Sequence, residues 1–206
     1  MSFLERNHFF IRKLHSLAGI FPIGFFLLEH LYTNSFAMYG ADAYNSKIEF
    51  FKSLPYLIVI ELGFILVPIL FHALYGLYIV YLARNNVLQY TYFRNWMFYL
   101  QRITAVITLI FVVYHVYTLR LSSLLYGTEV SFATMTQILS QPAMLIFYVV
   151  GLVAATFHFA NGLWAFLVSW GITIGPNAQR VSTIVCGIIF ILLTAMGINS
   201  LAAFIS

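Results

Sequence analysis

His72 lies in Val67-Pro-Ile-Leu-Phe-His72-Ala-Leu-Tyr-Gly76-Leu-Tyr78, inside an apolar run long enough to cross a membrane. An imidazole there has lost its water and must bond to something. Gly76 follows four residues later, one helical turn on and so on the same face. Its missing side chain leaves room there for something large and flat. The pattern recurs at Phe157-His158-Phe-Ala-Asn-Gly162-Leu-Trp164, and His30 and His115 complete a series with intervals of 42, 43 and 43 residues. A neutral imidazole binds iron through one ring nitrogen, and two of them fill both axial positions of a haem. Iron held in this way has no open position for oxygen or substrate and is suited to electron transfer. The four histidines therefore read as two pairs of axial ligands for two haems. The competing reading gives each buried histidine a hydrogen bond to a neighbouring helix.

The elements that must position them are membrane helices. The 206 residues are 62% hydrophobic and 8% charged, against about 25% charged in a soluble domain. This composition predicts an all-α integral membrane protein of a single domain, residues 1–206, with lipid around it. The first apolar segment is too long, and too closely tied to His30, to be a cleaved signal. The single cysteine, Cys186, excludes an intrachain disulfide, an iron–sulfur cluster bound by this chain alone and a Cys-x-x-Cys-His haem attachment. Any haem is then held non-covalently, as haem b.

Five spans of about 20 residues or more are expected, at about 14–36, 54–83, 96–120, 142–171 and 181–204, with the haems in a four-helix bundle made by the first four. Pro22 and Pro68 fall within spans, where neighbouring helices can re-satisfy the freed carbonyls. With the amino terminus inside, the inner segments hold Arg6, Arg12, Lys13, Arg84, Arg94, Arg102 and Arg180, and the outer ones Lys47, Lys52 and Arg120. The excess of positive charge puts the amino terminus in the cytoplasm and the carboxyl terminus outside. The net charge of +4 is explained by this topology and calls for no nucleic acid. The connections at about 41–52 and 131–140 read as short helices on the membrane surface or as plain loops.

Depth sorts the histidines. At about 1.5 Å per residue, His30 lies about 6 Å and His115 about 8 Å below the outer boundary. His72 and His158 lie about 25 Å and about 24 Å below it. His30 and His115 thus share an outer level, and His72 and His158 an inner one. His15 and Ser16, at the inner end of the first span, are candidates to hold a propionate of the inner haem. Arg94, Trp96 and Arg102 are candidates as well, and the arginines suit lipid headgroups equally. Glu29 and Glu61 lie in the outer half, where a carboxyl is costly unless protonated, paired or wet. Either could pass protons to a quinone at the outer haem, and Glu61 could instead reach headgroups.

Several longer runs have a familiar form: Arg12-Lys-Leu-His-Ser-Leu-Ala-Gly19, Glu29-His30-Leu31, Ser53-Leu-Pro55, Tyr92-Phe-Arg-Asn-Trp-Met-Phe98, Leu100-Gln-Arg102, Pro142-Ala-Met144 and Trp170-Gly-Ile-Thr173. With both histidine–glycine motifs, they cover nearly the whole chain. The chain resembles the di-haem cytochrome b membrane anchor of succinate:menaquinone reductase, the single-subunit form of Bacillus-like bacteria. The resemblance implies a multi-pass subunit of the bacterial cytoplasmic membrane within succinate dehydrogenase, carrying two b haems. A flavoprotein and an iron–sulfur subunit would dock on its cytoplasmic face. Succinate would be oxidised in the flavoprotein, so this chain would carry no catalytic residue and would pass electrons to menaquinone. The resemblance implies the same ligand pairing as depth does. Some fumarate reductases of this fold carry a membrane glutamate two residues before the fourth ligand. Here that residue is Thr156, and that proton path is not expected. The same anchor in a quinol:fumarate reductase is the alternative function. Anchors of hydrogenases, formate dehydrogenases and nitrate reductases place two ligands on one helix, unlike the one per helix here. A transporter with buried histidines would bind no haem.

Overall fold

The structure, a computed structural model, describes residues 7–206; Arg6, counted above with the inner charges, lies outside them. Five helices are long and apolar enough to cross a membrane: His8–Tyr39, Leu57–Leu82, Phe93–Tyr126, Pro142–Ser169 and Pro176–Ala203. At about 1.5 Å per residue, each exceeds the roughly 30 Å of the hydrocarbon core. The first, third and fifth begin before the expected positions, and the first and third also run past their expected ends. Backbone hydrogen bonding carries a helix beyond its apolar stretch, so Arg180 and Arg94 are helical although both are charged. The second begins later than expected, because Pro55 and Tyr56, the latter at φ 57°, keep the chain out of helix until Leu57.

The two prolines within spans act differently. At Phe21-Pro22 the first span breaks into His8–Ile20 and Ile23–Ser35, as a residue with no N–H and a ring against the preceding turn favours. Pro68 sits in the first turn of Val67–Leu82, directly after a π-helical turn over Glu61–Leu66. A second π-helical turn, Val116–Leu121, follows His115. Such turns insert one extra residue into a helix and are frequent at functional sites.

Helices Ala41–Lys52 and Phe132–Leu139 form in the two connections at the C-terminal end of the bundle. The Ser131 hydroxyl caps the second, accepting from the Thr134 amide at 3.3 Å. Together they close that end over Phe204, with Tyr44, Met135, Leu139 and Tyr148 buried around it. The Phe132 amide donates to Asn45 Oδ1 at 2.8 Å, and the Thr136 hydroxyl donates to the Phe204 carbonyl at 2.7 Å. At the opposite end, the Lys13 ammonium donates to the Ser169 carbonyl and lies 5.0 Å from the Trp170 ring centre. A cation there meets the negative end of the fourth helix.

Small residues set the close approaches. A Cβ on Gly151 would lie 2.2 Å from the Phe111 ring, and one on Gly197 would lie 2.5 Å from Leu152. Without a hydrophobic effect between them in lipid, membrane helices associate through such tight contacts. The most apolar stretches of the second and third spans contain no buried residue. Leu74, Tyr81, Ile110 and Val113 on them are exposed.

Candidate cofactor site

Antiparallel spans alternate direction, so the first and third carry His30 and His115 to one depth and the second and fourth carry His72 and His158 to another. The rings meet in those pairs. The centroids of His72 and His158 are 6.2 Å apart with planes at 87°. Those of His30 and His115 are 5.7 Å apart at 84°. Two imidazoles bound to one metal from opposite sides, each nitrogen about 2.0–2.1 Å away, have ring centroids about 6.4 Å apart. Both pairs fall within an ångström of that spacing.

The His72–His158 pair is oriented by backbone. His72 Nδ1 is 3.0 Å from the carbonyl oxygen of His15, and His158 Nδ1 is 3.2 Å from that of Gln101. A carbonyl only accepts, so each Nδ1 carries the proton and each Nε2 keeps its lone pair. Metal-binding histidines are typically held in this way through the other ring nitrogen. The His72 ring also lies on the first span, where a Cβ on Gly19 would be 2.6 Å from its Cε1. The His15 ring stacks on it at 4.1 Å and 7°.

The His30–His115 pair is set by packing. Phe26 lies 5.5 Å from the His30 ring, Phe111 lies 5.5 Å from the His115 ring, and Tyr148 lies 5.7 Å from the latter. His115 Nδ1 is buried without a partner. His30 Nε2 is 3.4 Å from the Asn34 amide nitrogen, which donates to the His30 carbonyl at 2.8 Å.

The expectation that Gly76 and Gly162 open space for a flat group needs correction. A Cβ on Gly76 would meet His15 Nε2 at 3.4 Å, and one on Gly162 would meet Gln101 Nε2 at 3.3 Å. The notches seat side chains of adjacent spans, because a glycine one turn from the histidine faces the same neighbouring helix as the histidine does.

The remaining candidates divide. His15 Nε2 and Arg102 Nε are buried with no partner, as donors awaiting an anion would be, and Ser16 beside His15 is half-buried. Arg94 is engaged elsewhere: it donates to the Thr183 hydroxyl, and its guanidinium lies 3.4 Å from the Trp164 ring centre. Trp96 is exposed and packs edge-on to Tyr99 at 5.9 Å. Glu29 accepts from the Thr33 hydroxyl at 2.5 Å. Glu61 pairs with Arg120 at 2.6 Å across the second and third spans, each partner within a π-helical turn. Thr156 is fully buried, its hydroxyl 2.8 Å from that of Thr194. Gln101, Gly19 and Arg120 take part at these sites although sequence reasoning gave them no such role. The signal for Gln101 was a neutral amide inside an apolar span.

Among the described residues no three His, Cys, Asp or Glu side chains converge as a metal site. Each site offers two imidazoles, a donor set that fits a metal whose other four ligands come from a porphyrin.

These features define a five-span helical membrane protein with two sites of facing imidazoles. Residues 84–196 match the family described as succinate dehydrogenase/fumarate reductase transmembrane subunit. The chain is 50% identical to the succinate dehydrogenase cytochrome b558 subunit of Bacillus subtilis (strain 168) over 199 residues, covering 97% of this chain and 98% of that one. The chain belongs to this transmembrane-subunit family and is a membrane subunit of an oxidoreductase complex.

Proposed function

We propose that this chain is the di-haem cytochrome b anchor of a succinate:menaquinone oxidoreductase in the bacterial cytoplasmic membrane. The observation that carries this reading is the pair of facing imidazole sites, each with a ring separation suited to one iron between them. Two b haems bound there would carry single electrons and present no free axial position.

Residues 1–206 form one domain, with the amino terminus in the cytoplasm, where Arg12, Lys13, Arg84 and Arg180 gather. His72 and His158 hold the inner haem, and His30 and His115 the outer one. His15, which stacks on His72, supplies donors for propionate oxygens together with Ser16 and Arg102. Arg94 and Trp96 instead anchor the cytoplasmic end of the bundle. The flavoprotein and iron–sulfur subunits dock at that end; that the relative is named as one subunit of succinate dehydrogenase supports there being further subunits. Menaquinone binds near the outer haem. Glu29 and Glu61 flank that level, and they exchange protons with the outside. The fumarate-reducing direction, which the family description includes, uses the same residues in reverse.

The test is a reduced-minus-oxidised optical spectrum of the purified complex, with haem quantified against chain. Two b-type haems per chain are expected. A complex without haem bands overturns the proposal.

A further inference from the structure

Spans two and four share Phe71-His72, Gly76-Leu77 and Phe157-His158, Gly162-Leu163 at a constant offset of 86 residues. The groups that meet these histidines obey the same offset. His15 and Gln101 each precede their histidine by 57 residues, and each accepts its Nδ1–H on the backbone carbonyl, at 3.0 Å and 3.2 Å. The side chain of each enters the notch of the glycine one turn past the histidine. His15 Nε2 is 3.4 Å from a Cβ placed on Gly76, and Gln101 Nε2 is 3.3 Å from one on Gly162. The residue before that glycine touches the same side chain in both halves. The Tyr75 ring lies 5.5 Å from that of His15, and the Asn161 amide donates to Gln101 Oε1 at 2.8 Å. Sequence alone offered only the histidine–glycine motif for such a repeat. Three matched contacts now support it.

We infer that His15 and Gln101 are one position in two copies of a helix-pair unit, and that Gln101 is the positioning residue for His158. Gln101 holds His158 at two points. Its backbone carbonyl accepts the ring Nδ1–H, and its side-chain amide donates to the His158 carbonyl at 3.0 Å. The second point fixes the distance at which the first forms, and so the direction in which Nε2 aims. Asn161 holds the Gln101 amide in that orientation while also donating to the Met97 carbonyl at 3.2 Å. The repeat slips by one residue at the other level, where the offset from His30 falls on Val116 rather than His115. The correspondence of His15 with Gln101 therefore concerns the inner site. This inference rests on the proposal that His72 and His158 hold a haem.

The experiment compares Gln101→Leu and Gln101→His with wild type in the whole complex, reading each haem's electron paramagnetic resonance signal and midpoint potential. His72→Ala and His30→Ala assign the two signals. Gln101→Leu is expected to shift the signal and potential of the haem that His72→Ala abolishes, leaving the other unchanged. Gln101→His places the side chain of the other copy in the Gly162 notch and is expected to return the signal toward wild type. Unchanged signals in Gln101→Leu, or Gln101→His no nearer wild type than Gln101→Leu, overturn the inference while the haem reading stands. If Gln101→Leu does not accumulate, an intact inner signal in Gln101→His supports the inference, and its loss overturns it. A haemless wild type fails the haem reading, and the positioning role falls with it.

Discussion

The His72–His158 and His30–His115 pairs present the same two rings at nearly the same spacing, yet the surroundings that fix them differ. In the first, both Nδ1 atoms bond to carbonyls of adjacent spans, so tautomer and aim are set by backbone. In the second, aromatic rings confine the imidazoles, and His115 Nδ1 has no partner. The first site is walled by α-helical residues of the first, third and fourth spans, with the Phe21-Pro22 break just past Gly19. The second lies beside two π-helical turns and the Glu61–Arg120 ion pair. Under the proposed function, the first site would receive electrons from a docked partner, and the second, with its polar groups and irregular backbone, would exchange protons with a quinone.

The difference can be sharpened by pressing on each site separately. The largest effect is expected from Gly19→Leu, since even a Cβ there would lie 2.6 Å from His72 Cε1. Loss of one of two haems is expected, with the His30–His115 signal retained; a haem count still at two contradicts the backbone-set geometry. Gly151→Ala presses on the Phe111 ring, which stacks on His115. Overpacking of this kind costs about 1–3 kcal/mol, and the outer haem's spectrum alone should shift, as read by low-temperature absorption.

A smaller effect is expected from Glu61→Gln, which removes one charge of a pair that is partly exposed at both partners. The loss should be about 1–2 kcal/mol, below the roughly 3–5 kcal/mol of a fully buried pair, because solvent screens part of it. It should appear as a lower melting temperature of the purified complex, with the His72–His158 signal unmoved. Asn34→Ala removes a hydrogen bond to the His30 carbonyl and should cost about 0.5–1.5 kcal/mol. Haem content should stay at two, with a small shift confined to the outer signal.

The spans and the histidine pairs whose rings meet were legible because both follow from counting residues along apolar runs. Helix ends were less so: Arg180 and Arg94 sit inside helices because backbone bonding does not require an apolar side chain. The roles of Gly76 and Gly162 were misread because a sequence shows which face a glycine is on but not which neighbour faces it. Gln101 and Gly19 act through contacts 57 and 53 residues away along the chain; a neutral amide in an apolar span hints at the first, and no local pattern marks the second. The two π-helical turns had no signature beyond Pro68 near the first. Arg94 looked like an anion holder by charge and depth, but Thr183 and Trp164, brought in by the last two spans, engage it.

The most direct measurement is haem per chain in the purified complex for the wild type and for His30→Ala, His72→Ala, His115→Ala and His158→Ala. Two haems are expected in the wild type and one in each variant. His30→Ala and His115→Ala should lack the same spectral component, and His72→Ala and His158→Ala the other. A colourless wild type, a variant that keeps both haems, or losses paired in any other way would contradict the assignment of these imidazoles to two irons.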